Sequence, residues 1–346
     1  MRYSVQGASI VGGLLLAPLA ALAHHSVAGT FDTSEITEAE GEVTSVLWRN
    51  PHVRFSLSTT GENGEVETWA IEMTSLSSLR RRGVDSQFLV VGDTVRVAGN
   101  PAKDGTDQLY VRNLLLASGE EVVLSNGGPR WTEQGLGTTG PGFGSEGDRS
   151  RPDLGIFRVW STSFLGGSAL ALWNDSYPLT VAAEAAVAAF NPATDAPTLN
   201  CTPKGMPTIM EQPYPMEIVV RDGNVVLLQE EYDTVRTIYL NDNEPDWTEP
   251  RPLGHSTGRW EGDTLVVETT GIRWHHFNTR GIPLSDAVET VETFTLRDEG
   301  GRLDYTMTVT DPATFTEPVL LDKSWLWFPS VTVEPYDCAK LVVEQG

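Results

Sequence analysis

The feature that most constrains this chain is a two-residue alternation of apolar and polar side chains, broken at short intervals by glycine and aspartate turns. Val43 and Leu47, then Val53, Phe55 and Leu57, then Trp69, Ile71 and Met73 alternate with polar neighbours. Successive side chains of a strand point to opposite faces, so each run buries one face and wets the other. The same period returns at 217–220, 225–229, 234–240, 264–269, 288–296 and 303–310. Asp222-Gly223, Glu261-Gly262-Asp263 and Glu299-Gly300-Gly301 separate several of these runs and supply turn chemistry. Helix is expected only at Thr74 to Arg82 and in the alanine-rich stretch Thr180 to Phe190, where Thr180 is placed to cap.

The order of these elements predicts a mainly β chain with two barrels. Three strands, a helix and two strands give an OB-like small barrel at the N-terminal end. Turn-linked strands in the second half predict an antiparallel meander, a lipocalin-like barrel or half-barrel that can enclose a small-molecule cavity. Between Gly127 and Gly147 lie eight glycines in 21 residues, with Pro129 and Pro141. Such a stretch lacks the aliphatic side chains of a core and reads as a linker open to proteolysis. The expected division is a signal peptide over 1–23, an OB-like domain over 24–124, a linker over 125–150 and a barrel domain over 151–346.

Arg2 precedes an apolar run from Ile10 to Leu22, and Ala21-Leu22-Ala23 offers small residues for cleavage after Ala23. The run is shorter than the roughly 20 apolar residues that span a bilayer, and no second one follows. Export to the periplasm or medium is therefore expected, with no transmembrane segment after processing. The full chain carries 24 Lys+Arg and 47 Asp+Glu, and cleavage removes one basic residue and no acidic one, leaving −24. A field of that sign repels phosphate backbones, and basic residues cluster only at Arg80-Arg81-Arg82, so nucleic acid is not an expected partner. Cys201 and Cys338 are the two cysteines, and an exported chain would join them as a disulfide between the start and the end of the second domain.

His24-His25-Ser26, Trp48-x-Asn50-Pro51-His52, Trp69-x-x-Glu72-Met73 and Leu79-Arg80-Arg81-x-Gly83 resemble a family of exported bacterial domains of unknown function. The similarity covers most of residues 24–118 and implies an OB-like fold without an activity. Cys201-x-Pro203-x-Gly205-Met206-Pro207, Pro213-Tyr214-Pro215-x-Glu217, Gly254-His255-Ser256-x-Gly258-Arg259-Trp260-Glu261-Gly262-Asp263-Thr264 and Asp311-Pro312 are similar to the C-terminal region of exported bacterial proteins with β-barrel character. This second resemblance covers about 200–338 and carries over no catalytic residue. Where such proteins have Pro-His-Ser-Glu, this chain has Pro283-Leu284-Ser285-Asp286.

No G-x-S-x-G elbow, H-E-x-x-H helix, P-loop or dinucleotide fingerprint is present in the sequence. Three readings stay open. The leading one is an exported binding protein for a small, partly apolar ligand in the second barrel, with Arg259, Trp260 and His276 as candidate contacts. In the second, Glu268 and Glu292 face the cavity beside His255 and perform acid-base chemistry as a hydrolase, isomerase or cyclase. The plainer role for these acids is an ion pair of Glu292 with Arg259 or Arg280, or exposure to water. The third is copper binding by the mature amino terminus, where the α-amine and imidazole of His24 chelate with His25 or His52. An interaction protein that docks through its acidic surface is a further class.

Overall fold

The computed structural model describes residues 27–338 apart from 62–63, 85–86, 166–172, 174–175, 192–193, 196–200, 241–244, 246 and 248. The expected signal peptide, His24 and His25 lie outside the described residues. A short helix α1 (Val27–Thr30) leads into β1 (Thr37–Leu47), β2 (Arg54–Thr60), β3 (Val66–Glu72), helix α2 (Leu76–Arg81), β4 (Thr94–Pro101) and β5 (Gln108–Leu115). The strands run in the order β3-β2-β1-β4-β5, and β3 pairs with β5 in parallel to close a five-stranded barrel. Val43, Phe55, Leu57, Ile71, Val97 and Leu109 are buried in its apolar core. Ser75 caps α2 by accepting from Ser78 N at 3.1 Å.

The glycine-rich stretch does not run free. After β6 (Glu121–Val123), β7 (Gly135–Leu136) pairs with β6 in parallel. Phe143 packs on Phe164 with centroids 5.2 Å apart, Phe164 N donates to Gly142 O at 2.7 Å, and Asp148 N donates to Trp327 O at 2.9 Å. A Cβ at Gly140 would lie 2.1 Å from the Arg82 carbonyl carbon. The expectation that this stretch has nothing to pack against is therefore corrected. Its glycines admit close backbone approach as well as freedom.

The second sheet has nine strands: β8 (Val159–Trp160), β9 (Met216–Arg221), β10 (Asn224–Gln229), β11 (Thr234–Leu240), β12 (His255–Glu261), β13 (Thr264–Thr270), β14 (Glu289–Arg297), β15 (Arg302–Thr310) and β16 (Val319–Leu326). They neighbour one another in sequence order, and the two ends meet where Ser161 and Leu326 exchange hydrogen bonds of 3.0 and 2.8 Å. The result is a barrel that is nearly closed. Helix α3 (Val181–Ala189) is capped by Thr180, whose hydroxyl accepts from Ala183 N at 3.2 Å.

One pairing departs from the expected meander: β11 and β12 are parallel. Parallel neighbours need a crossover rather than a tight turn, and β12 begins beside Ile238, in the second half of β11. The ladder spans only Ile238↔Ser256 to Leu240↔Gly258, so residues 234–237 have β10 on one side and no ladder partner in β12 on the other. The barrel wall is thus open along this seam, with the crossover beside it.

The two barrels touch through α2. Arg80 donates to Glu230 at 2.9 Å, and Arg81 donates to the Thr162 carbonyl at 2.9 Å while lying over the Phe164 ring. Arg82 donates to Ser125 O at 2.9 Å. The one basic run of the sequence is therefore occupied inside the protein, and burial lowers the Arg81 guanidinium to about 10. Cys201 and Cys338 form a disulfide. It holds the C-terminal stretch against the first barrel, where Asn50 Nδ2 donates to Tyr336 O at 2.5 Å and Arg49 pairs with Asp337.

Candidate functional site

A cavity of about 560 Å³ opens at the β11–β12 seam. It is lined by residues 202–204, 232–237 and 251–256 together with Tyr239, Trp247 and Trp274. This volume lies within the range of small-molecule sites. Alternation along β11 turns Thr234, Arg236 and Ile238 inward, so a guanidinium enters the barrel on an otherwise apolar parity.

Arg236 forms the floor. Its Nη1 donates to Glu292 Oε1 at 2.9 Å, its Nη2 pairs with Glu292 Oε2 and donates to Thr269 Oγ1 at 2.9 Å, and its Nε donates to Ser256 Oγ at 3.1 Å. Tyr305 OH donates to Glu292 Oε1 at 2.7 Å. Arg236 and Glu292 are both buried. Burial alone would lower the Arg236 pKa, and the adjoining Glu292 charge raises it overall. Burial first, then the Glu292 charge, raises Tyr305. The network keeps the arginine ionised and fixed, because each charge supplies what the other needs after leaving water.

A second buried cluster adjoins the opposite wall. Lys204 reaches Glu231 at 2.9 Å. Burial opposes its charge, and Glu231 with Glu211 raises its pKa overall. Neither carboxylate oxygen of buried Glu211 has a hydrogen-bond partner among the described residues. Burial pushes Glu211 up to about 7 despite the pull of Lys204. Lys323 donates to the carbonyls of Met210, Glu211 and Gln212 at 3.5, 3.0 and 2.5 Å. Burial lowers it to about 7, opposed by Glu211 and Glu231.

The mouth is aromatic and cationic. Trp247 stacks on His255 with centroids 5.3 Å apart and an interplanar angle of 19°, and Tyr239 meets Trp247 edge-on at 6.3 Å. The Arg251 guanidinium carbon lies 3.3 Å from the Trp247 ring centroid. His255 Nε2 is 3.0 Å from Glu249 O; a carbonyl only accepts, so the proton sits on Nε2. A Cβ at Gly271 would lie 2.8 Å from the His255 ring, so glycine there leaves room for the imidazole.

Of the acids and histidine expected to act together, the structure brings His255 to the cavity and Glu292 beneath it, held by Arg236 rather than by Arg259 or Arg280. Glu268 is on the other side of the wall. Its side chain is 54% exposed and pairs with Arg259, equally exposed, at 2.6 Å. The inward residues of β13 are Leu265, Val267 and Thr269. Val266 and Val267 fit opposite parities, so the sequence admitted both assignments and packing selected the one that shows Glu268 to water. Arg259 and Trp260, which is 40% exposed, lie outside the cavity, with Trp260 against Phe157. His276 packs on Phe190 at 5.3 Å and is not a wall residue; burial lowers its pKa.

His52 Nδ1 lies 3.0 Å from Met73 O and 3.5 Å from Glu72, so it is tied to the first barrel. Among the described residues, no three His, Cys, Asp or Glu side chains gather to hold a metal ion. Trp325, Trp327 and Phe328 are buried in the core. Lys204, Arg236, Trp247 and Arg251 were not among the sequence candidates. Arg236 alone carried a signal, a basic residue in phase with Ile238.

No helix among the described residues is long and apolar enough to cross a membrane. No curated protein matches this chain. Two crystal structures of the mitochondrial single-stranded DNA binding protein Rim1 from S. cerevisiae are similar over 24% of this chain, at 14% identity and a TM-score of 0.20. The matched regions cover 92% and 94% of those chains, and a score this low carries no argument about binding. Residues 13–109 match the model of a family of unknown function (DUF6152), a match that covers β1 to β4 and the first two residues of β5 and not the strands that build the cavity.

Proposed function

We propose that this protein binds a small, partly apolar molecule in the seam cavity of its second barrel, without turnover. The observation that carries the reading is the cavity itself: about 560 Å³, walled by aromatic rings and prolines, with a few convergent polar groups. The acid-base reading has less support. Glu268 faces water on Arg259, and Glu292 is neutralised by Arg236, which leaves His255 without a carboxylate partner within hydrogen-bond reach among the described residues. Export is part of the same proposal, and the Cys201–Cys338 bridge supports it, since disulfides persist in oxidising compartments.

The test is titration with a neutral fluorescent arene, 1-N-phenylnaphthylamine, against the native protein and Thr237→Trp, which fills the cavity from its wall. Saturable enhancement that the substitution abolishes is expected. Enhancement of equal size in both proteins, or none in the native one, would overturn the assignment. A circular-dichroism melt of the variant checks that it is folded.

A further inference from the structure

We infer that the cavity selects a planar aromatic monocarboxylate, with Arg251 binding the carboxylate and the Trp247–His255 pair supporting the ring. The inference rests on the cavity being a ligand site and adds the ligand's charge and shape.

Three cations line the cavity: Lys204, Arg236 and Arg251. Lys204 is paired with Glu231 and Arg236 with Glu292. Arg251 has no carboxylate within ion-pair distance among the described residues; its contact is the face of Trp247. In a chain of net charge −23, Arg251 is thus the one lining cation whose charge meets no carboxylate among the described residues. Stacking on an indole covers the face of a guanidinium and leaves the N–H groups along its edge free to donate in the plane. Two parallel N–H groups match the two oxygens of a carboxylate.

The position of Arg251 is fixed by its backbone. Its N–H donates to Gly271 O at 3.0 Å, and its carbonyl accepts from Arg273 N at 2.7 Å and Gly254 N at 2.9 Å. The side chain thus projects from a pinned segment at the opening, and little ordering remains to be done on binding. Pro252, Leu253, Trp274, Tyr239 and the stacked Trp247 and His255 supply apolar and π surface for a ring.

The same wall limits the charge of the ligand. Asp233 lines the cavity, with its Oδ1 accepting from Tyr336 N at 3.0 Å. One lining cation without a carboxylate among the described residues, in a cavity that also presents Asp233, suits a monoanion. A phosphate dianion would bring a second negative charge that no further free cation of the lining meets.

The experiment is isothermal titration of the native protein with 2-naphthoate, 2-naphthylmethanol and 2-naphthyl phosphate, which share one ring system and differ in charge. The naphthoate is expected to bind tighter than the alcohol by about tenfold or more, the scale of charge-assisted hydrogen bonding, and tighter than the phosphate. Arg251→Gln should bring naphthoate down to the affinity of the alcohol while leaving the alcohol unchanged; Arg251→Lys should keep part of the preference. Arg251 is exposed, so these variants are expected to fold. Equal affinity of naphthoate and alcohol for the native protein would overturn this inference and leave the cavity as a ligand site. A preference for the phosphate would overturn the monoanion assignment. Binding of none of the three would remove the inference together with the ligand-site reading.

Discussion

The two barrels solve the same closure problem with different interiors. Five strands make a lumen just wide enough for Val43, Leu57, Ile71 and Leu109 to fill, and these side chains form a continuous apolar cluster. Nine strands leave a wider lumen, and the second barrel holds a layer of Trp160, Phe294, Tyr305 and Trp325 alongside Arg236, Glu292, Lys204, Glu211 and Lys323. Lumen width grows with strand number, and a wide lumen that aliphatic side chains do not fill accommodates long charged ones, provided each finds a partner. The comparison teaches where chemistry resides here: in the barrel with room for charge and at the β11–β12 seam, where the ladder spans only part of β11.

The largest expected effect tests what holds the wide barrel together. Its disulfide closes a separation of 137 residues, a loop worth about 5 kcal/mol in the chain-entropy model. Cys201→Ser with Cys338→Ser should lower the unfolding free energy from urea titration by an amount approaching that figure, with a lower midpoint. A midpoint unchanged by the double substitution would show that packing alone sets the stability.

Next is the buried pair. Glu292→Ala strands Arg236 in the core and is expected to cost about 3–5 kcal/mol, whereas Arg236→Met with Glu292→Leu should recover most of it. Denaturant titration of the single and double variants reads the difference. If the single substitution is neutral, the charged interior is not the structural contrast drawn above.

In the small barrel Leu57→Ala should cost about 2–5 kcal/mol, through lost burial and the cavity left behind. No second substitution at a charged position should rescue it. Rescue by a polar residue at 57 would break the comparison from the other side.

The Glu211 cluster predicts a pH dependence centred near neutrality. A folded value of about 7 against an ordinary 4.5 means that the native state holds a proton that the unfolded chain has released. The stabilisation is complete below about 4.5 and is lost as pH rises to about 7, on the order of 3 kcal/mol. Lys323 has the opposite sign: lowered from 10.5 to about 7, it is neutral in the native state while the unfolded chain stays protonated, so stability recovers from about 7 to about 10.5. Urea midpoints of the native protein should pass through a minimum near neutrality. Glu211→Gln should flatten the acidic limb, and identical pH profiles for the two proteins would refute the assignment.

The smallest effect is expected at Arg259→Ala. Its two ion pairs, with Glu261 and Glu268, are exposed, and solvent screening leaves such pairs little effect on stability. Naphthoate affinity should not change. A large loss of either quantity would return Arg259 to the site.

The legibility of the fold followed the strength of local pattern. The small barrel's strand, helix and strand order, the Thr180 cap and six strands of the second sheet stood in the sequence because alternation and turn residues marked them. Strand β12 did not, since His255 to Glu261 contains Gly258 and few apolar residues, and β16 was masked by its aromatic cluster. The glycine-rich stretch was misread as free because composition reports what a backbone is able to do, whereas its neighbours decide whether it packs. Among the site residues, His255 and Glu292 were legible, and Arg236 was legible in principle by its phase. Trp247 and Arg251 lie in a crossover with no period at all.

By itself the sequence determined the β class and the residues able to carry charge or form the disulfide, because those properties depend on side chains and their spacing along one strand. Only the tertiary structure decided that β11 and β12 run parallel, that Glu268 turns outward, and that Arg236 meets Glu292 from 56 residues away. The physical reason is that strand parity is set by which of two faces packs better, and strand direction by where the chain can return. Both are settled between segments rather than within one.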